Sequence, residues 1–222
     1  LALVLALAGS FFVREIAIAE GSRLQIAFYA SVVRLAAVFV IAMHVLGAIS
    51  REFQDKGLEL LLALDLPRAH YILGRLAGFL CVAAGMAVMS AVPQFVLSGP
   101  VEAAQWAVSL ALELSVVAVL GVFCIVTFSH VMPAATFMFA FYLLARTITA
   151  IRLISEHPLS GSDSLSHEVI AWLVRAMSWL LPAFDGWTRT AWLVDSAADW
   201  GEIGVIAAGA VAYFALLAAA TI

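Results

Sequence analysis

Between Ala103 and Ala145 the only formally charged residue is Glu113, and this apolar run constrains the fold more than any other feature. It is too long for one membrane span, which takes about 20 mostly apolar residues, and long enough for two. His130-Val131-Met132-Pro133 supplies a break, so a tight turn is expected there. Water cannot solvate such a chain: 65% of its residues are hydrophobic, 12% are charged and mean hydropathy is +1.09. A soluble domain has roughly 45–50% apolar and about 25% charged residues. Lipid can solvate it, provided every backbone N–H and C=O is paired inside its own segment. The long unalternating runs of Leu, Ala, Val, Ile and Phe lack the two-residue period of a barrel strand, which leaves helices. The expected fold is therefore all-α, a polytopic membrane protein of about six transmembrane helices forming one transmembrane domain over 1–222.

Charge-poor stretches place the spans at about 1–19, 24–50, 76–101, 103–128, 133–153 and 202–222. Arg14 and Glu15 interrupt the first, Arg34 is the one charge in the second, and the third has none. The chain opens on Leu1 inside an apolar run, without a basic leader or cleavage site, so both ends read as truncated. Cys81 and Cys124 lie in apolar runs and read as small packing residues, not as a disulfide or a metal site. A net charge of −4 excludes nucleic acid as an expected partner, because phosphate binding needs a basic surface.

Two polar stretches interrupt the apolar pattern. Over 51–68, Glu52, Asp55, Lys56 and Glu59 fall on one helical arc and Phe53, Leu58, Leu60, Leu61 and Leu64 on the other, the pattern of an interfacial helix. Over 155–199, a Ser/Gly/Asp loop at 160–164 leads into a second amphipathic stretch at 165–181, which Pro182 ends. Arg51, Lys56, Arg68 and Arg75 place the second-to-third connection in the cytoplasm by the positive-inside rule. Arg146, Arg152, Arg175 and Arg189 then lie toward the outside. Trp106, Trp172, Trp179, Trp187, Trp192 and Trp200 all fall at the opposite, outer face, where tryptophan at headgroup level is expected.

The stretch from Glu52 to Arg75 carries the one specific motif. Glu52, Gly57, Glu59, a run through Leu61 and Leu62, Pro67 with Arg68, then Gly74 and Arg75 opening the third span resemble the cytoplasmic signature of ABC transporter permeases of the ABC-2 type. Leu58 stands where that family usually has Thr. The six-span plan, the short fourth-to-fifth connection and Leu181-Pro182-Ala183-Phe184-Asp185 before the last span extend the resemblance over most of the chain.

The resemblance implies an exporter permease working as a dimer or with a paralogous second permease. Two separate ABC ATPase subunits would dock under the 51–68 coupling helix, with Glu52, Gly57, Glu59, Leu62, Pro67, Arg68 and Arg75 in the contact. ATP and Mg would belong to those partners, so this chain would carry no cofactor and would not itself be an enzyme. A multi-pass place in the plasma membrane, that of a bacterial inner membrane, follows from the same resemblance. An ordinary interfacial helix that only anchors a loop is the plainer alternative for 51–68. Gly74 and Gly78 form a G-x-x-x-G that lets another helix come close, within the subunit or across a dimer.

No phosphate loop, H-E-x-x-H or G-x-S-x-G occurs, so no catalytic or metal residue is assigned. Leu159-Ser160-Gly161-Ser162 has the look of an ATPase signature but stands in an outer loop without a phosphate loop. Ionisable groups inside spans are costly and are functional candidates by default; here they are Arg34, Glu113 and Arg146. At 1.5 Å per residue the first two lie about 15 Å from the outer ends of their helices and the third somewhat shallower, so one layer can hold all three. Either they line or close a translocation cavity, or Arg34 and Glu113 form a buried ion pair that holds helices together. His44 and His130 read as packing histidines without metal partners. Trp172 and Trp179 share a face of the outer amphipathic stretch, which is either a lid over an exit path or a helix lying in the headgroups. Rival functions are a secondary transporter, which calls for inverted repeats and midplane carboxylates, and a membrane-embedded enzyme.

Overall fold

In the computed structural model, residues 1–16, 21–54, 68–156, 165–194 and 199–221 are described. They form nine helices: α1 (Ala2–Ile16), α2 (Gly21–Gln54), α3 (Arg68–Leu97), α4 (Pro100–Phe128), α5 (Val131–Glu156), α6 (Leu165–Leu180), α7 (Phe184–Trp187), α8 (Ala191–Val194) and α9 (Trp200–Thr221). No strand occurs among the described residues. Five helices are long and apolar enough to cross a membrane: α2, α3, α4, α5 and α9. The protein is thus an all-α polytopic membrane protein. The apolar helix α1 has 15 described residues, a reach of about 22 Å against a hydrocarbon core of about 30 Å.

Two short turns set the topology. The α3–α4 hairpin turns at Ser98–Gly99, earlier than the 101–103 boundary that charge alone suggests. Gly99 sits at φ 133°, open to glycine and strained for other residues, and Pro100 starts the next helix where no N–H is needed. The α4–α5 turn is Ser129–His130, with Ser129 in the left-handed region and its N–H donating to the Ile125 carbonyl at 2.9 Å. Pro133 lies in the first turn of α5, not in the break, because a proline there costs no intrahelical hydrogen bond. Helix α2 has 34 residues, about 50 Å, so it outruns the hydrocarbon core. It continues through Gln54 without a break at residue 50, and α3 starts at Arg68, not near 76. The start of the expected 51–68 helix is therefore the last turn of α2, and 55–67 lies outside the described residues.

The most enclosed span is α4, which touches α2, α3, α5 and α9. In lipid no hydrophobic force draws apolar helices together, so close packing and polar contacts must do it. Gly121 supplies one such approach: a side-chain carbon there would stand 3.1 Å from Val45 of α2 and 3.4 Å from Met138 of α5. Tyr29 of α2 donates to the Ser90 carbonyl of α3 at 3.1 Å.

Exposure divides the tryptophans into two groups. Trp172, Trp179 and Trp200 are exposed, but Trp106, Trp187 and Trp192 are buried in protein. An indole needs somewhere to place a large ring, and the bundle core serves as well as a headgroup layer. Helix α6 packs along α5 and leaves Val169, Ile170, Trp172, Leu173 and Trp179 exposed. Cys124 is buried, whereas Cys81 is exposed on α3.

Candidate functional site

The three intramembrane ionisable residues come together, and what joins them is a segment the charge pattern did not flag. Glu113 on α4 is fully buried. Its Oε1 accepts the Tyr142 hydroxyl at 2.8 Å and its Oε2 accepts the Thr188 hydroxyl at 2.5 Å. Arg146 Nη1 stands 3.6 Å from Glu113 Oε1. Tyr142 and Arg146 are one turn apart on α5, a spacing that puts both on one face. Arg34 does not touch Glu113: its Nη1 donates to the Thr188 carbonyl at 2.5 Å. The direct ionic partner of Glu113 is therefore Arg146, and Thr188 stands between Glu113 and Arg34.

Local chemistry explains why the segment sits there. Pro182 ends α6, and α7 is only four residues long, so its last carbonyls have no intrahelical partner. At membrane depth such carbonyls need donors from within the protein. Arg146 Nη1 donates to the Phe184 carbonyl at 2.5 Å and Nη2 to the Thr188 carbonyl at 3.3 Å. Thr149 donates to Asp185 at 3.0 Å, so that carboxylate is held by a hydroxyl and not by a guanidinium. Phe184 and Thr188 are fully buried and Trp187, Trp192 and Leu193 nearly so. The Phe184 ring packs on Tyr142 at 5.6 Å and on Trp187 at 5.2 Å. Leu181-Pro182-Ala183-Phe184-Asp185 thus leads a plug of short helices into the bundle. Glu113 lies about 20 Å along α4 from Pro100, so the plug reaches well below the hairpin turn at Ser98–Gly99.

Arg34, Arg146 and Glu113 together carry one positive charge in excess, and Asp185, held by Thr149, brings a second carboxylate to the same segment. Arg34 is 7% exposed, and its Nε has no hydrogen-bond partner. In this conformation Arg34 and Glu113 are buried and both bond to Thr188.

At the other end, Glu52 in the last turn of α2 forms an ion pair with Arg75 of α3 and accepts the Tyr71 hydroxyl at 2.5 Å. Arg75 also lies over the Phe79 ring at 5.3 Å, and His44 meets that ring edge-on at 6.0 Å. This clasp joins the two helix ends that flank 55–67. Of the motif residues, Glu52, Gly74 and Arg75 are placed; Arg68 opens α3; Gly57, Glu59, Leu62 and Pro67 lie outside the described residues. Among the described residues, the G-x-x-x-G positions Gly74 and Gly78 have no atom within 4 Å of where a side chain would project, so no described helix fills that seam. A groove of about 250 Å³ lies beside them, lined by His44, Arg75, Phe79 and Val82. Among the described residues no group of three or more His, Cys, Asp or Glu is placed to hold a metal ion.

Sequence reasoning missed Tyr71, Tyr142 and Thr188. The two tyrosines carried a signal, each standing one turn before an arginine singled out in the sequence. Thr188 carried none, because its backbone carbonyl does half the work. Comparison with protein-family models, with curated proteins and with solved structures finds no match to this chain.

Proposed function

We propose that the chain is the transmembrane permease subunit of an ATP-driven exporter of the ABC-2 type. It would change access by alternation, with ATP hydrolysed on separate ATPase subunits docked at 51–68. The observation that carries the reading is the Glu52–Arg75 pair with Tyr71: two residues of the motif, far apart in sequence, join the ends of α2 and α3 on either side of the motif's centre. A force applied to 55–67 then reaches two spanning helices together. The open Gly74–Gly78 seam supports a second permease copy or a paralogue as neighbour, because small residues let helix backbones approach. The membrane in question is the plasma membrane, by the resemblance a bacterial inner membrane.

Gentle purification followed by identification of co-purifying chains tests this. A stoichiometric Walker-type ATPase that is lost on Glu59→Lys or Arg68→Glu upholds the reading and locates the contact. A chain that purifies alone and transports without ATP overturns it.

A further inference from the structure

The two buried or half-buried guanidiniums that end on backbone carbonyls point to what the plug holds back. Arg34 and Arg146 both donate to the Thr188 carbonyl, and Arg146 also to the Phe184 carbonyl. Backbone carbonyls are weak partners for guanidinium groups, which bind carboxylate and phosphate through two parallel charge-assisted hydrogen bonds. Glu113 offers its oxygens to Tyr142 and Thr188 and has only one of the two arginines, Arg146, within ion-pair distance, at 3.6 Å. Asp185 is engaged by Thr149. Arg34 is left with a buried Nε that has no acceptor, although it is more than nine-tenths enclosed. Cations at membrane depth are costly and mark a functional site by default. This one keeps an unmatched buried donor beside a segment that its guanidiniums hold by backbone carbonyls.

We propose that Arg34 and Arg146 form a recognition site for the anionic head, carboxylate or phosphate, of an amphiphilic ligand, and that the Phe184 and Thr188 carbonyls occupy it as internal stand-ins. The arriving anion takes the guanidinium hydrogen bonds, the two carbonyls lose their donors, and residues 184–193 loosen from the bundle. Glu113 sets selectivity by repelling a second negative group and by holding Thr188 until the exchange is complete. Shared chemistry makes the ligand either exported cargo or a resident anionic lipid. The cargo half rests on the exporter reading; the anion site does not.

The test needs no ATPase, so its failure is distinct from failure of the exporter reading. The purified chain in phosphatidylcholine nanodiscs is titrated with dodecyl phosphate, dodecanoate, dodecyltrimethylammonium and dodecyl maltoside, while hydrogen exchange is followed at the amides of 184–193. Both anionic probes are expected to speed exchange there at least about tenfold, the size of one lost charge-assisted hydrogen bond per opening, and the cationic and neutral probes are not. Arg34→Gln should raise the half-saturating concentration at least about tenfold, and Arg34→Lys, which keeps the charge, should raise it less. Faster exchange in discs containing phosphatidylglycerol, with no probe added, assigns the site to a resident lipid; its absence, with a response to the probes, assigns it to a mobile amphiphile. Equal responses to all four probes, or an unchanged response in Arg34→Gln that elutes as the parent protein does, overturn the proposal.

Discussion

Glu113 gives the most decisive prediction, because the structure assigns it a partner different from the one its depth suggests. Arg34 and Glu113 are the pair that a layer argument joins. In the structure Glu113 faces Arg146 at 3.6 Å, and its hydrogen-bonded path to Arg34 runs through Thr188, leaving a weaker charge–charge attraction across that residue. Two unit charges at that separation attract with a gross energy on the order of 4 kcal/mol at an effective dielectric of 20. The Arg146 side chain is one-fifth exposed, 20%, so part of this is screened. A double-mutant cycle of Glu113→Gln with Arg146→Gln should therefore return a coupling of about 2 kcal/mol, inside the range of hydrogen bonds to charged groups. The cycle with Arg34→Gln should return less than about 1 kcal/mol, as for residues joined through a third group. Glu113→Leu should cost about 3–5 kcal/mol, since it strands a buried cation and two hydroxyl donors. Reversible unfolding in mixed micelles with increasing dodecyl sulfate gives each free energy. Equal couplings for the two arginines, or an Arg146 coupling under about 0.5 kcal/mol, would refute the assigned geometry.

Two other variants probe packing. Gly121→Leu should destabilise the bundle by about 1–3 kcal/mol in the same assay, because Val45 and Met138 already crowd that position. Gly78→Leu, with open space before it, should change stability of the isolated chain by less than about 0.5 kcal/mol; equal costs at the two sites would contradict the close approach. Lipids brominated on their acyl chains should quench Trp172 and Trp179, which are exposed on α6, so that replacing both with Phe removes most of the quenching. If replacing the buried Trp106 removes as much, α6 does not face lipid.

Much of the fold was legible because membrane solvation leaves few choices. Apolar runs without alternation had to be helices, and Pro182 had to end α6. The Ser98-Gly99-Pro100 turn was also readable, from glycine followed by proline, but charge counting alone slides past it. The meeting of Arg34, Glu113 and Arg146 followed from depth along helices, which is a one-dimensional quantity. Who pairs with whom depends on rotation about each helix axis, which depth does not report, so Thr188 and Tyr142 had to be seen. The plug was hidden for a related reason: short helices held by backbone carbonyls leave no pattern of side chains to read. Which tryptophans are exposed was not readable, because the same residue suits a headgroup layer and an aromatic core.

One helix belongs to both clusters. Arg34 and Glu52 lie on α2 about 27 Å apart along its axis, the first holding the plug at Thr188 and the second holding α3 at Tyr71 and Arg75. A shift of α2 by two residue rises, about 3 Å, would stretch the 2.5 Å contact from Arg34 to Thr188. Even if the shift ran across the bond, the separation would reach about 3.9 Å, outside hydrogen-bond range. Arg34 is too enclosed for its side chain to follow freely. Weakening the clasp with Glu52→Gln should therefore speed hydrogen exchange in residues 184–193, at the far end of the molecule, while costing under about 1 kcal/mol of global stability, because both partners in the clasp are partly exposed. Exchange there that is unchanged from the parent protein would confine each cluster to its own end and rule out α2 as the link between them.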